Sequence, residues 1–414
     1  MRPITTTMFA ALVLALACPP ADAASAINTQ QFMDRFMGVN LHLNGCCNGR
    51  YSNTQQVIDE LKYIRATHLR DGPIPMGGLL DRYKMVSSAT GAKFEVVIET
   101  GSPARQRACL DVIKSWFKTT PGLLTGIEGT NEPDTAPAIQ VGASLANSAA
   151  FQTEVYYAGK AAGVPVTQLS VGAGWFPPLW EGNYKSFGKP PADYGNAHVY
   201  MNKGETPSVS LKRIGELAQW SVNGKATNVT EFGMFKGSQF SADLTSAYMH
   251  IGPFSSYLFG HYKLSVYALH DDSTNTVGFY DFNNQPRAHA RYWHIMGRLL
   301  ADPAGRNLPK KDINVTFTNV KSVGKNPLTG IKNVVMYKSN GAVWVAAYDE
   351  EKPGALDGSQ TVVFDRTYPY LQVVDGRTGA VVQTLENSRQ ISLRLPANHL
   401  HFVVASSYKL TIKF

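Results

Sequence analysis

The chain has 414 residues, with 39 Lys and Arg against 31 Asp and Glu, giving a formal charge of +8. Hydrophobic residues make up 44% and charged residues 17%, which excludes a disordered chain, since such chains are poor in apolar residues and rich in charge. The length admits two or three domains, or one large barrel with an appendage, and a core of that size needs no disulfide staples.

Residues 1–23 read as an export signal. Arg2 supplies a basic start, residues 8–17 an apolar run, and Ala21-Asp22-Ala23 a small-residue cleavage site. A second cleavage site follows Ala26. The run is shorter than the roughly 20 residues that span a bilayer, and no later stretch is long enough. A secreted or periplasmic monomer without a membrane span is therefore expected. Cleavage leaves Cys46, Cys47 and Cys109. In an oxidising compartment Cys109 is expected to bridge to one of the adjacent pair, with a vicinal Cys46–Cys47 link as the alternative. The basic excess is scattered, with no aromatic-interleaved basic run, so no nucleic-acid partner is expected.

From residue 38 to about 300, short apolar, β-branched runs alternate with segments of helical spacing. Eight strands are predicted, over 38–43, 67–70, 94–99, 124–130, 169–174, 195–200, 227–231 and 264–270. Several are almost continuously apolar, as in parallel sheets buried on both faces. Between them run helical stripes: Val57, Leu61 and Ile64; Leu110, Ile113 and Phe117; Ile214, Leu217 and Trp220; Tyr292, Met296 and Leu299. Eight βα units in this length predict a (β/α)₈ TIM barrel over 24–302. A doubly wound open sheet is disfavoured, because no Gly-rich phosphate turn follows the first strand. After Asp302-Pro303 short alternating runs at 334–337, 342–348, 361–364, 371–374, 380–385, 391–395 and 400–405 predict a small all-β sandwich over 303–414.

In a parallel barrel the polar residues that close each strand line the catalytic face. Two glutamates do so here, Glu132 after the fourth strand and Glu231 at the end of the seventh. Those strands lie across the barrel mouth from one another. A facing carboxylate pair is what glycosidic bond cleavage needs: one acid protonates the leaving oxygen and one carboxylate attacks the anomeric carbon. No His-x-His or His-Glu-x-x-His spacing points to a catalytic metal, and neither a catalytic metal nor a cofactor is expected.

The run Gly126-Ile127-Glu128-Gly129-Thr130-Asn131-Glu132-Pro133 resembles the strand-4 Asn-Glu-Pro motif of glycoside hydrolase clan A. Thr230-Glu231-Phe232-Gly233 resembles that clan's strand-7 nucleophile motif. Gly278-Phe279-Tyr280-Asp281, followed by Gln285-Pro286-Arg287-Ala288, is similar to the segment leading into its last barrel helix. The resemblance covers essentially the mature chain. It implies a retaining glycosidase acting on a β-linked polysaccharide or oligosaccharide, with Glu132 as acid/base and Glu231 as nucleophile. It further implies that Asn131 bonds the sugar 2-hydroxyl, that Arg70 holds Glu231 ionised, that Tyr200 donates to Glu231, and that His198 lines the same face. The alternative is a catalytically inactive barrel acting as a carbohydrate-binding protein.

One departure concerns the last strand, where many clan members place a Trp as a sugar platform. Here it reads Ser265-Val266-Tyr267-Ala268-Leu269-His270, so Tyr267, His270 or a loop aromatic is the expected substitute. Asn40 and His42, closing the first strand, are candidates to touch sugar hydroxyls. Trp175, Phe176 and Trp180, after the fifth, are candidates to stack on pyranose faces.

Overall fold

The computed structural model describes residues 24–45, 49–172, 177–234, 240–271, 278–321, 330–351 and 357–412, without the side chains of 24, 177–180 and 319–321. The expected export signal, Cys46, Cys47, Trp175, Phe176 and the Trp180 side chain lie outside the described residues.

The first strand, β1 (Ala24–Asn28), belongs to a second sheet described below. The barrel strands are β2 (Gly38–Asn40), β3 (His68–Asp71), β4 (Lys93–Ile98), β5 (Leu124–Thr130), β6 (Val166–Thr167), β7 (Gly195–Met201), β8 (Thr227–Met234) and β9 (Lys263–Val266). All pair in parallel, in the order β6-β5-β4-β3-β2-β9-β8-β7. A parallel bridge between Thr167 and Tyr194 spans the remaining seam. The fifth predicted strand, 169–174, is displaced: among the described residues pairing covers Val166–Thr167, and residues 173–174 lie outside them. Leu169, Ser170 and Val171 are still buried, but outside a ladder, with Ser170 N–H donating to the Thr130 carbonyl. Apolar texture therefore marked burial there without marking pairing.

The helices are α1 (Thr29–Phe36), α2 (Thr54–Ile64), α3 (Leu79–Thr90), α4 (Pro103–Thr119), α5 (Ala136–Gln140), α6 (Leu145–Ala161), α7 (Pro177–Ser186), α8 (Pro207–Ser221), α9 (Ala242–Leu258) and α10 (Ala288–Leu300). Asn53, Ser102, Ser144 and Ser241 cap α2, α4, α6 and α9, each side chain accepting from an otherwise orphaned N–H in the first turn. The inward face of α8 runs through Leu211, Ile214 and Ala218, and Trp220 is 41% exposed. The stripe ending at Trp220 was one position out of phase. Cys109, expected in a disulfide, is a buried free thiol on α4 that donates to the Pro73 carbonyl.

The second sheet comprises β10 (Lys311–Ile313), β11 (Val315–Lys321), β12 (Gly330–Tyr337), β13 (Val343–Glu350), β14 (Gly358–Asp375), β15 (Val381–Leu395) and β16 (His401–Ser406), in the order β10-β1-β12-β13-β16-β14-β11, with β15 on β14. Residues 24–28, expected with the barrel, pair instead with β10 and β12, so the sandwich takes strands from both ends of the chain. The runs 361–364 and 371–374 are one long bent strand. β14 pairs with β11 through its first half and β16 through its second, with a register irregularity against β15 between Val363 and Tyr368.

Alternation explains how the layers stack. Val335, Val345, Leu371 and Val403 face Val362, Phe364, Ile391 and Leu393 inside the sandwich. Their neighbours Met336, Trp344, Ala346, Phe402 and Val404 join the barrel core instead, with Phe254 and Trp293. The sheet is thus apolar on both faces, one closed by its own bent strands and the other by α9 and α10. Each large side chain so buried contributes about 1.5–3 kcal/mol. Glu350, on β13, crosses the seam: its carboxylate accepts from Ser208 N at 2.6 Å, Ser208 Oγ at 2.8 Å and Ser255 Oγ at 2.8 Å.

Candidate active site

The site gathers at the C-terminal ends of the barrel strands around Arg70, the third residue of β3. Arg70 is buried and gives every arm of its guanidinium to the barrel interior. Nε and Nη2 reach the two Glu128 oxygens at 2.6 and 2.7 Å, and Nη1 reaches Glu231 Oε1 at 2.8 Å. Nη1 also donates to Asn40 Oδ1 at 2.7 Å, and Nη2 to Asn131 Oδ1 at 2.8 Å. Burial alone opposes a charged guanidinium, but the two carboxylates outweigh it and raise its pKa above the ordinary value, so Arg70 is a permanent cation.

Glu231 owes its position to a bulge. Ala197 pairs with Val229 but His198 pairs with Glu231, so Thr230 is an extra residue on β8. A bulge re-aims the side chains after it. Here both Thr230 and Glu231 reach polar partners: Thr230 Oγ1 donates to Asn196 at 2.5 Å, and Glu231 meets Arg70. The other Glu231 oxygen accepts from Tyr200 Oη at 2.6 Å. Burial and the neighbouring Glu132 push the Glu231 carboxyl upward, while His198, Arg70 and Tyr200 pull it down; the net direction is upward. Both oxygens nonetheless accept hydrogen bonds, an arrangement that fits the ionised form.

A second bulge serves Glu132. Val97 pairs with Glu128 and Ile98 with Thr130, leaving Gly129 as the extra residue on β5. The chain then turns sharply, and Glu132 has φ of +37°, rare for a residue with a side chain. Its N–H donates to Ser170 Oγ at 3.0 Å, and its carbonyl accepts from Thr135 N and Oγ1. Such a conformation costs of the order of 1–3 kcal/mol and persists only where neighbours hold it. The Glu132 side chain is 23% exposed and that of Glu231 is 7%, so Glu132 stands at the opening and Glu231 beneath it.

His198 lies between the two. Its Nδ1 is 2.6 Å from Glu132 Oε1 and 3.4 Å from Glu231 Oε2, and its Nε2 is 3.9 Å from Glu128 Oε1. Burial disfavours the imidazolium, but the charge of Glu231 and the hydrogen bonds of Glu128 and Glu132 outweigh it and raise the His198 pKa to about 9. At neutral pH Nδ1–H therefore donates to Glu132. One oxygen from each of Glu132 and Glu231 and a ring nitrogen of His198 lie within 4.8 Å of one another. Two carboxylates and an imidazole at that spacing are also a metal-type donor set. Arg70 already supplies the compensating cation, and Tyr200 and Arg70 occupy both Glu231 oxygens, so these residues suit an organic substrate better than an ion.

The predicted residues divide clearly. Glu132, Glu231, Arg70, Asn131, His198 and Tyr200 form one cluster. Tyr267 and His42 meet beside it, Oη to Nε2 at 3.1 Å, and the Tyr267 ring packs edge-on against Tyr200. Asn40, expected to touch sugar, is 2% exposed. Its Oδ1 accepts from Arg70, and its Nδ2 donates to the Thr230 and Val266 carbonyls, so it is a brace for the arginine. His270, expected as a platform, is buried against α2, its Nε2 on Glu60 and its ring stacked on Tyr51. His270 lies beyond the end of β9, past bends at Tyr267 and Leu269, so strand alternation no longer sets its direction.

Glu128 was missed. It is fully buried, and the Arg70 cation and its hydrogen bonds overcome burial to lower its carboxyl to about 2. The available signal was a charged residue two positions inside an otherwise apolar, glycine-flanked strand.

No family model matches the sequence, and no curated protein matches it. Solved structures do match in fold. A GH51 α-L-arabinofuranosidase from Thermotoga petrophila RKU-1 superposes with a TM-score of 0.62 at 10% identity, over 93% of this chain and 98% of that one. A glucosidase from Croceicoccus marinus gives 0.61 at 10% identity, over 94% and 100%. A GH39 β-xylosidase from Caulobacter crescentus gives 0.57 at 12% identity, over 93% and 98%. The chain shares the barrel-plus-sandwich fold of these glycoside hydrolases.

Proposed function

We propose that the protein is an exported, retaining glycoside hydrolase of the clan A type that cleaves β-linked glycans by double displacement. The observation that carries this reading is the carboxylate pair: Glu132 and Glu231 place oxygens within 4.8 Å of each other across His198. A separation near 5 Å suits attack by one carboxylate on the sugar itself, whereas inversion needs room for a water and roughly 6.5–9.5 Å. Glu231, held on both oxygens and deep in the barrel, attacks the anomeric carbon. Glu132, nearer solvent, gives its proton to the leaving oxygen. The departing alcohol is then replaced by water, Glu132 takes a proton from it, and the ester to Glu231 breaks with a second inversion. Asn131 has its carbonyl on Arg70, which leaves its amide –NH₂ as the donor for the sugar 2-hydroxyl.

His198 fits this scheme as the reservoir for the Glu132 proton. In the free site three carboxylates face two cations. As Glu231 is consumed into the ester, the charge contributing most to protonation of His198 is lost, so its proton passes to Glu132 and on to the leaving oxygen in the first half-reaction; the proton that Glu132 takes from water restores the imidazolium as the ester breaks.

The test uses the full chain on aryl β-glucosides, β-xylosides and α-L-arabinofuranosides, the classes named among the fold relatives, and on polymeric β-glycans. Glu231→Ala and Glu132→Gln should abolish hydrolysis while leaving circular dichroism unchanged, and the first-formed product should keep its anomeric configuration. Near-wild-type turnover in both variants rejects the assignment. Sugar binding without release of reducing ends would identify a binding protein instead.

Export rests on the sequence of residues 1–23, and one structural feature supports the first cleavage site. Strand β1 begins at Ala24, whereas cleavage after Ala26 would delete three of its five residues, including the fully buried Ala26. The exported chain should therefore begin at Ala24 by intact mass; a mass retaining the leader would refute export by this route.

A further inference from the structure

A second cluster of ligating side chains lies outside the barrel mouth, where the β14–β15 turn meets the start of β16. Asp375 and His401 are register partners in the antiparallel β14–β16 pair, so their side chains leave the same face of the sheet. His399 precedes His401 by two residues, a His-x-His spacing not singled out from the sequence. The ring centroids of the two histidines are 4.7 Å apart. One ligand atom from each of Asp375, His399 and His401 lies within 4.8 Å of the others.

Two details distinguish this cluster from an ordinary ion pair. His399 Nε2 is 3.0 Å from Asp375 Oδ2, close enough to pull that carboxyl down, although the two are poorly aligned as a hydrogen bond. Donor atoms aimed at a shared third point show that geometry, since tetrahedral ligands at roughly 2.0–2.2 Å from a metal sit a little over 3 Å apart. His401 is only 7% exposed; its Nδ1 is buried with no well-aligned partner, and the His399 backbone lies beside the ring as an acceptor. A buried, poorly satisfied ring nitrogen beside an imidazole and a carboxylate calls for an explanation.

We propose that Asp375, His399 and His401 bind a divalent transition metal of the zinc class, with solvent completing the coordination. Two imidazoles and one carboxylate are a donor set that favours zinc over calcium or magnesium. The surrounding groups are compatible with it. Asp375 Oδ1 accepts from the N–H groups of Arg377 and Thr378 at 2.8 and 2.9 Å, which orients the carboxylate and leaves Oδ2 for the ion. The Arg377 guanidinium is drawn off by the Asn398 carbonyl at 3.0 Å and the face of Tyr292. His250, on α9, stands behind the turn: a Cβ on Gly376 would lie 3.2 Å from its Cε1. A bound ion would therefore fasten the hairpin turn to β16 at the seam with the barrel helices.

The proposal is independent of the glycosidase reading, and its test keeps the two apart. The full-length Glu132→Gln/Glu231→Gln protein, which lacks the two carboxylates that converge with His198 at the barrel mouth, is stripped with chelator, incubated with zinc chloride and desalted. Metal analysis should find roughly one zinc per chain, falling at least tenfold when His399→Ala and His401→Ala are added. Cobalt(II) on the parent double variant gives a second reading that does not depend on the histidine variants folding. Four-coordinate binding produces intense visible d–d bands. Absence of retained zinc, absence of those bands, or zinc retention unaffected by the histidine changes in a folded variant would each overturn the proposal.

Discussion

Glu128→Gln probes the least visible part of the site. The carboxylate is fully buried and holds Arg70 through two hydrogen bonds, with Asn196 Nδ2 donating to it at 2.8 Å. The variant keeps the shape but turns one acceptor into a donor facing other donors, and leaves Arg70 with Glu231 as its remaining carboxylate partner. The carboxyl's pKa falls from 4.5 to about 2 in the folded protein. A depressed carboxyl stabilises the fold above its unfolded pKa, and that contribution disappears as pH falls through the folded one. A shift of that size contributes about 3 kcal/mol at pH 7 and about 1 kcal/mol at pH 3. Independently, removing one partner of a buried ion pair costs roughly 3–5 kcal/mol. The assay is urea unfolding of wild type and Glu128→Gln at pH 7, 5 and 3, followed by barrel tryptophan fluorescence. The deficit should be about 3 kcal/mol at pH 7 and 5 and shrink by half or more at pH 3. A variant as stable as wild type at pH 7, or a deficit that does not narrow in acid, would refute the claim that this carboxylate is the structural counter-ion of Arg70.

Tyr200→Phe removes a hydrogen bond to the ionised form of Glu231, so the acidic limb of kcat/KM should move to higher pH; an unmoved limb would show that the contact does not tune the nucleophile. Truncation after Pro303 would uncover Trp344's and Phe402's packing partners on α9 and α10, and should give an insoluble barrel; a soluble, active fragment would show that the sandwich does not buttress the fold. Within the intact chain, Glu350→Ala strips the acceptor from Ser208 and Ser255 and should lower stability by about 1–3 kcal/mol, read as a lower urea midpoint.

The sequence alone determined the barrel, the sandwich and the two glutamates, because each rests on local regularity. Buried parallel strands need continuous apolar runs, helices need a stripe, and side chains closing barrel strands must face the mouth. The alternation that put His198 and Tyr200 on one side was enough to join both to Glu231. What it left undecided depends on register between distant strands. The extra residues Gly129 and Thr230 are visible only against the partner strands β4 and β7, and they turn the chain so that Glu132 and Glu231 converge. Asn40 and His270 look alike in sequence to residues that meet substrate, yet one braces Arg70 and the other binds Glu60. The β1 strand joins the sandwich because Ile27 and Asn28 find Met336 and Tyr337 more than 300 residues later. A polar residue's role is set by which charges the fold brings to it, and those come from elements far away in the chain.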